Sequence, residues 1–121
     1  AEVTATAVAK MDAIMAAYRF TDDRIRKAAS NMVEGFRSRK DVRGLGHNVG
    51  LEVHDVGGLQ APTLEPGRVF TIEPQMRLED EHLGVRLEDM ILITETGYEN
   101  LSAFVPIEAG DIEKLMSERK R

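Results

Sequence analysis

The stretch Val69-Phe70-Thr71-Ile72-Glu73-Pro74 alternates apolar and polar residues, the period of a strand with one face against a core. The alternation puts Phe70 and Ile72 on one face and Thr71 and Glu73 on the other. Pro74 has no N–H to give to a ladder, so it ends the strand at a rim beside Glu73. A second run, Val85 to Thr96, is rich in branched residues and bounded by turn signals, and reads as a longer strand. Within it Arg86, Glu88, Met90 and Leu92 share a face. A carboxylate among so many apolar neighbours is costly if buried alone. Glu88 is therefore expected to face solvent, to pair with Arg86, or to bind a metal.

Around these runs the chain changes character. Residues 1–40 contain no proline and a single glycine, Gly35, whereas all four prolines and eight of the ten glycines fall between Gly44 and Pro106. In the opening, Val3, Ala7, Met11, Ile14, Met15 and Tyr18 recur at helical spacing. So do Ile25, Ala28, Ala29, Met32, Val33 and Phe36. Thr21, followed by Asp22 and Asp23, suits an N-cap with negative charge in the first turn. The spacing predicts two amphipathic helices joined around Phe20 and Thr21, their Met and Ala stripes packing on a core. Downstream, Leu51 to Val56 is a short strand candidate. Thr96-Gly97 offers a turn into Tyr98 to Phe104 as an antiparallel partner. Met76 to Leu83 reads as a loop that exposes His82 among Glu79, Asp80 and Glu81. Asp111 to Arg121 reads as a short charged helix with Ile112, Leu115 and Met116 on one face. Two helices on a strongly bent antiparallel sheet, an α+β layering, is the expected architecture. The expected division is a helical pair at 1–40, a strand-rich region at 41–109 and a C-terminal helix at 110–121.

The 121 residues suffice for one core. No cysteine is present, which excludes disulfides and thiolate metal sites. The net charge of −5, with no cluster of Lys and Arg interleaved with aromatics, argues against a nucleic-acid surface. No apolar run approaches ~20 residues, so no membrane-spanning helix is expected. Residues 1–10 have neither a basic start nor a continuous apolar stretch, so they do not read as a signal peptide. The first residue is Ala1 rather than Met, which leaves open that the chain is part of a longer protein.

A third segment adds chemistry: Gly44-Leu45-Gly46-His47-Asn48-Val49-Gly50-Leu51-Glu52-Val53-His54-Asp55. Two histidines seven apart, framed by glycines at 44, 46 and 50, suggest backbone brought close to something bulky or charged. Imidazole is a common transition-metal ligand and the usual proton carrier near neutral pH. One His and two Glu would form a nitrogen and oxygen donor set suited to Mn, Co, Zn or Fe(II), with His54 free for proton transfer. Ordinary structural roles for the same residues remain open at this point.

At these three segments the sequence resembles the pita-bread metallopeptidases: aminopeptidase P, prolidase, methionine aminopeptidase and creatinase. GLGHNVGLEVHDVGG is similar to the family's His-ligand motif and PGRVFTIEP to its first Glu motif. GVRLEDMILITETGYENLS is similar to its last Glu motif, in the form of the Xaa-Pro branch. The resemblance implies the C-terminal part of a pita-bread catalytic domain. It implies an Xaa-Pro-type aminopeptidase or dipeptidase that hydrolyses an N-terminal peptide bond with water bridging two divalent ions. By position, His47 and Glu73 would each ligate one metal and Glu88 both. His54 would contact the substrate, and Arg86 would pair with the ligand carboxylates. Arg86 or Asp89 would orient those carboxylates from outside the metal.

The family's two aspartate ligands have no counterpart here. Asp12 and Asp23 have a comparable separation, but they sit in helical sequence with no glycine between them. Arg43 stands where the Xaa-Pro enzymes carry a further His, and would line the substrate pocket as a permanent cation. Gln75 replaces the usual Gly after Glu73-Pro74. The expectations that follow are a partial or empty metal site and little activity in this chain alone. The expected partners are a peptide substrate, the missing N-terminal part of the same protein and a second copy in a homo-oligomer. Cytoplasmic location is expected. Two other readings share the motifs: a pita-bread relative that only binds, and a creatinase-like metal-independent hydrolase. An unrelated α+β domain is the fourth.

Overall fold

The computed structural model describes residues 2–39, 44–56 and 63–118. Helix α1 spans Glu2–Ala17 and helix α2 spans Asp23–Arg37. Five strands follow: β1 Val69–Ile72, β2 Gln75–Leu78, β3 Leu83–Arg86, β4 Asp89–Ile93 and β5 Tyr98–Asn100. A short 3-10 turn at Glu79–Glu81 joins β2 to β3, and helix α3 spans Ala109–Glu118. The fold is α+β, with helices laid against antiparallel strands.

The periodic stripe of α2 is where the sequence puts it from Ala28 onward, while Ile25 in the first turn is exposed. Ala28, Ala29, Val33 and Phe36 are buried, and Met32 packs against them. In α1 the inward stripe is narrower: Ala7, Val8, Met11 and Met15 face the core, while Ile14 and Tyr18 lie in solvent. Asp22, not Thr21, caps α2. Its backbone is extended (φ −131°, ψ 125°) and its carboxylate accepts the Arg24 amide at 2.8 Å. A carboxylate at the cap meets both the free amides and the positive end of the helix dipole. The core joins Val8, Val33 and Phe36 from the helices to Leu45, Phe70 and Ile91 from the sheet side.

The expected long strand is broken. β1 pairs with β4, and β2 with β3, each antiparallel, and β5 pairs with the far edge of β4. The register nonetheless continues unchanged across the break. Ile72 is opposite Asp89 on one side and Gln75 is opposite Arg86 on the other. Glu73 therefore falls opposite Glu88, and Pro74 opposite Leu87. Pro74 has no N–H to contribute, so at that level only the Leu87 amide still donates, to Pro74 O at 3.4 Å, and the ribbon splits into a three-stranded sheet and a two-stranded hairpin. Met76 to Leu83 is thus hairpin rather than loop. His82 is exposed at its tip in the left-handed conformation, φ 51°.

Leu51 to Val56 forms bends and turns instead of a strand, with Leu51, Val53 and Val56 in solvent. The extended partner of β1 lies just before it. The Glu73 amide donates to Leu45 O at 2.8 Å, Thr71 to His47 O at 2.9 Å, and Val49 to Val69 O at 3.2 Å. Residues 45–49 so flank β1 on the edge away from β4. β5 ends at Asn100, and the chain beyond it turns, leaving Phe104 exposed. On α3, Ile112, Leu115 and Met116 are all exposed.

Candidate metal centre

Three backbone features converge on one point. Glu73 follows the last residue of β1, Glu88 lies opposite it at the break between β3 and β4, and His47 comes from the segment alongside β1. The His47 Nδ1 lies 2.9 Å from Asn48 O. A carbonyl only accepts, so in the neutral ring Nδ1 carries the proton and Nε2 presents its lone pair. Nε2 stands 3.5 Å from Glu73 Oε1 and 3.8 Å from Glu88 Oε1. One donor atom from each of the three residues lies within 4.8 Å of the others.

These separations are long for hydrogen bonds and short for unrelated groups. Around one ion with bonds of ~2.1 Å, neighbouring donors would be about 3.0–3.4 Å apart. The two His47 separations exceed that range by only a few tenths of an ångström. The chemistry agrees: one imidazole nitrogen with two carboxylate oxygens suits Mn, Co, Zn or Fe(II). The residues present fit a metal.

Arg86 holds the other side of the acids. Its Nη1 is 3.3 Å from Glu73 Oε2 and its Nε 4.0 Å from Glu88 Oε2. Each carboxylate thus turns one oxygen to His47 and the other to the guanidinium, which fixes both planes and offsets their mutual repulsion. His54 is exposed, and its ring meets that of His47 edge to face, with centroids 4.5 Å apart and planes at 82°. Arg43 lies outside the described residues.

Other acids are engaged elsewhere. Asp12 pairs with Arg37 across the two helices at 2.8 Å, and Asp23 with Arg26 at 3.0 Å. Asp89 does not orient the ligand carboxylates. Its Oδ1 accepts from Ser102 Oγ at 2.7 Å and Asn100 Nδ2 at 3.0 Å, and these donors hold its carboxyl below the ordinary carboxylate range. Ser102 Oγ also accepts the Met90 amide at 3.1 Å, which ties the corner after β5 back to β4.

One buried residue at the centre carries no flag in the sequence. Thr71 is 2% exposed, and its hydroxyl accepts from the His47 amide at 3.0 Å while donating to Glu73 Oε1 at 3.2 Å. The signal was available: Thr71 shares a strand face with Glu73, two residues on. Gly46 is the other. A Cβ at that position would sit 1.9 Å from the Thr71 carbonyl oxygen, so only glycine lets the two backbones run this close.

The profile of metallopeptidase family M24 matches residues 2–95. The chain belongs to metallopeptidase family M24. It is 42% identical over 87 residues to the Xaa-Pro aminopeptidase of Haemophilus influenzae, covering 63% of this chain and 20% of that protein. To the Xaa-Pro aminopeptidase of Escherichia coli it is 43% identical over 86 residues, again 62% of this chain and 20% of the relative. Among solved structures, aminopeptidase P from Escherichia coli with the inhibitor Pro-Leu superposes with a TM-score of 0.54. It is 39% identical, over 77% of this chain and 24% of that one. The chain spans about a fifth of the length of the curated M24 relatives it matches. Among the described residues no helix is long and apolar enough to cross a membrane.

Proposed function

We propose that this chain supplies the C-terminal ligand set of an Xaa-Pro-type metalloaminopeptidase acting on the N-terminal bond of peptides. The observation that carries the reading is the convergence of His47 Nε2 with one oxygen each of Glu73 and Glu88, at 3.5 and 3.8 Å. In this reading those three side chains would hold a divalent ion, and Glu88, placed opposite Glu73, would also serve a second. A bound divalent ion would supply Lewis acidity towards the peptide carbonyl and towards attacking water.

The remaining roles belong to the chain. Arg86 orients the two carboxylates. His54, at the exposed rim beside His47, donates a hydrogen bond to the substrate carbonyl and steadies the oxygen as negative charge builds on it. Arg43 enters the proposal only as a fixed cation that acts on the substrate. Three ligands with no aspartate partners give the isolated chain weak metal binding and little turnover. Manganese, cytoplasmic location and pairing with the rest of a longer polypeptide belong to this proposal.

Two measurements test it. Calorimetric titration of the chain with Mn²⁺ or Co²⁺ is expected to show binding that Glu88→Ala and His47→Ala abolish. In the polypeptide that includes any upstream sequence, Glu88→Ala is expected to abolish cleavage of an Xaa-Pro peptide. Retained turnover in that variant would remove Glu88 from its role. Unaltered metal binding in both variants would overturn the ligand set.

A further inference from the structure

Residues 45–49 and β1 keep one amide-to-carbonyl bond at each of three paired positions, and only at His47 and Thr71 does a side chain stand in for the second. His47 and Thr71 are partners in an antiparallel pair, and such partners exchange two amide-to-carbonyl bonds. The first is present: the Thr71 amide donates to His47 O at 2.9 Å. The return bond is replaced. The His47 amide donates instead to the Thr71 hydroxyl, at 3.0 Å. A hydroxyl has one proton, and Thr71 turns it to Glu73 Oε1 at 3.2 Å. One buried oxygen therefore grips the backbone of one candidate ligand and the carboxylate of another. Gly46 keeps the space for this grip, since a Cβ there would lie 2.5 Å from the same Oγ1.

From this we infer that Thr71 is a positioning residue for the metal centre: its hydroxyl sets the distance between His47 Nε2 and Glu73 Oε1. The inference rests on the proposal that these atoms hold a metal. Removing the hydroxyl leaves the His47 amide without its partner and frees Glu73 Oε1 to turn. Polar groups that orient ligands from outside the metal are typically worth 10–100-fold in metal affinity. Threonine also fills space, and valine and serine separate the two roles. Valine keeps the branched shape and loses the hydroxyl, whereas serine keeps the hydroxyl and loses a methyl.

The experiment compares the parent chain with Thr71→Val and Thr71→Ser. It uses calorimetric titration with Co²⁺, the cobalt absorption spectrum, and hydrogen exchange of the His47 amide in metal-free protein. The expected result is an affinity loss of roughly 10–100-fold with an altered cobalt spectrum in T71V, and affinity within about threefold of the parent in T71S. His47 amide exchange should accelerate in T71V and not in T71S. Equal affinity in T71V and the parent would overturn the inference. The opposite order, with T71S the weaker, would mark a space-filling role and overturn it too. If the parent binds no cobalt, the weak metal binding proposed for the isolated chain fails. The grip is then decided by exchange alone: acceleration confined to T71V upholds it, and equal exchange in all three proteins refutes it.

Discussion

Gly46→Ala is the substitution whose sign tests the architecture most directly. Where the backbone permits it, replacing glycine by alanine stabilises a protein by about 0.4–1 kcal/mol, because the unfolded chain loses freedom. Gly46 has no positive φ to forbid the change. The objection is space alone. The added carbon would stand 1.9 Å from the Thr71 carbonyl oxygen, and real Cβ atoms essentially never come within 3.0 Å of a neighbour. The two backbones would have to part by roughly 1 Å, which an interior resists because it is closely packed. The bonds across this seam are Glu73 N to Leu45 O at 2.8 Å, Thr71 N to His47 O at 2.9 Å and His47 N to Thr71 Oγ1 at 3.0 Å. Stretched by that amount, all three pass beyond hydrogen-bonding range. At about 1 kcal/mol each, their loss predicts destabilisation of about 2–4 kcal/mol. Gly35→Ala is the control, because Gly35 lies inside α2 with nothing within 4 Å of an added Cβ. It should stabilise by about 0.5–1 kcal/mol. Urea denaturation followed by circular dichroism reads both from the shift in midpoint at constant slope. A G46A protein as stable as the parent, beside a stabilised G35A, would refute the close pairing of residues 45–49 with β1.

The Asp89 network predicts a pH effect. Because the folded carboxyl titrates below its ordinary value, its contribution is complete above about pH 4 and is lost as the pH falls through the folded value. Ser102→Ala should cost about 1–2 kcal/mol at pH 7 and less as the pH falls below the ordinary carboxylate range; a pH-independent difference in denaturation midpoints would contradict this. The apolar run Phe104, Val105 and Ile107, with Ile112, Leu115 and Met116 on α3, is exposed. The chain is therefore expected to self-associate with rising concentration, and light scattering that reports a single small species throughout would count against it.

Much of this fold is written locally. The α2 face follows from the spacing of Ala28, Ala29, Val33 and Phe36, and the shared core side of Phe70 and Ile72 from their alternation in β1. The break at Leu87 and Glu88 is not local. Both flanks favour strand, and the ladder thins because Pro74 on the partner strand has no N–H, a fact of register rather than composition. The short strand expected at Leu51 to Val56 fails for a similar reason: the edge of β1 is already taken by residues 45–49. Thr21 and Asp22 are both competent caps, and nothing in their order predicts that the chain turns helical one residue later. At the candidate centre, the sequence motifs mark His47, Glu73, Glu88 and Arg86. Their nearness comes from Glu73 and Glu88 lying opposite one another at the break. Thr71 escapes notice because a buried threonine in a strand is ordinary until its two hydrogen bonds are seen.

The charges around the centre set how many ions this chain can hold. As a ligand His47 must be neutral, Glu73 and Glu88 bring two negative charges, and Arg86 returns one positive charge. One divalent cation turns a local deficit of one charge into an excess of one, which solvent accommodates. A second would leave an excess of three. Two divalent ions ~4 Å apart repel by about 16 kcal/mol at an effective dielectric of 20, so further carboxylates are needed to hold both. Asp12 and Asp23 cannot supply them, since they pair with Arg37 and Arg26, and Asp89 is turned to Ser102 and Asn100. Calorimetric titration of the chain with Co²⁺ is therefore expected to give one ion per chain, weakly held, with no second tight step. Two tight sites would overturn the ligand inventory and require acids other than those described here.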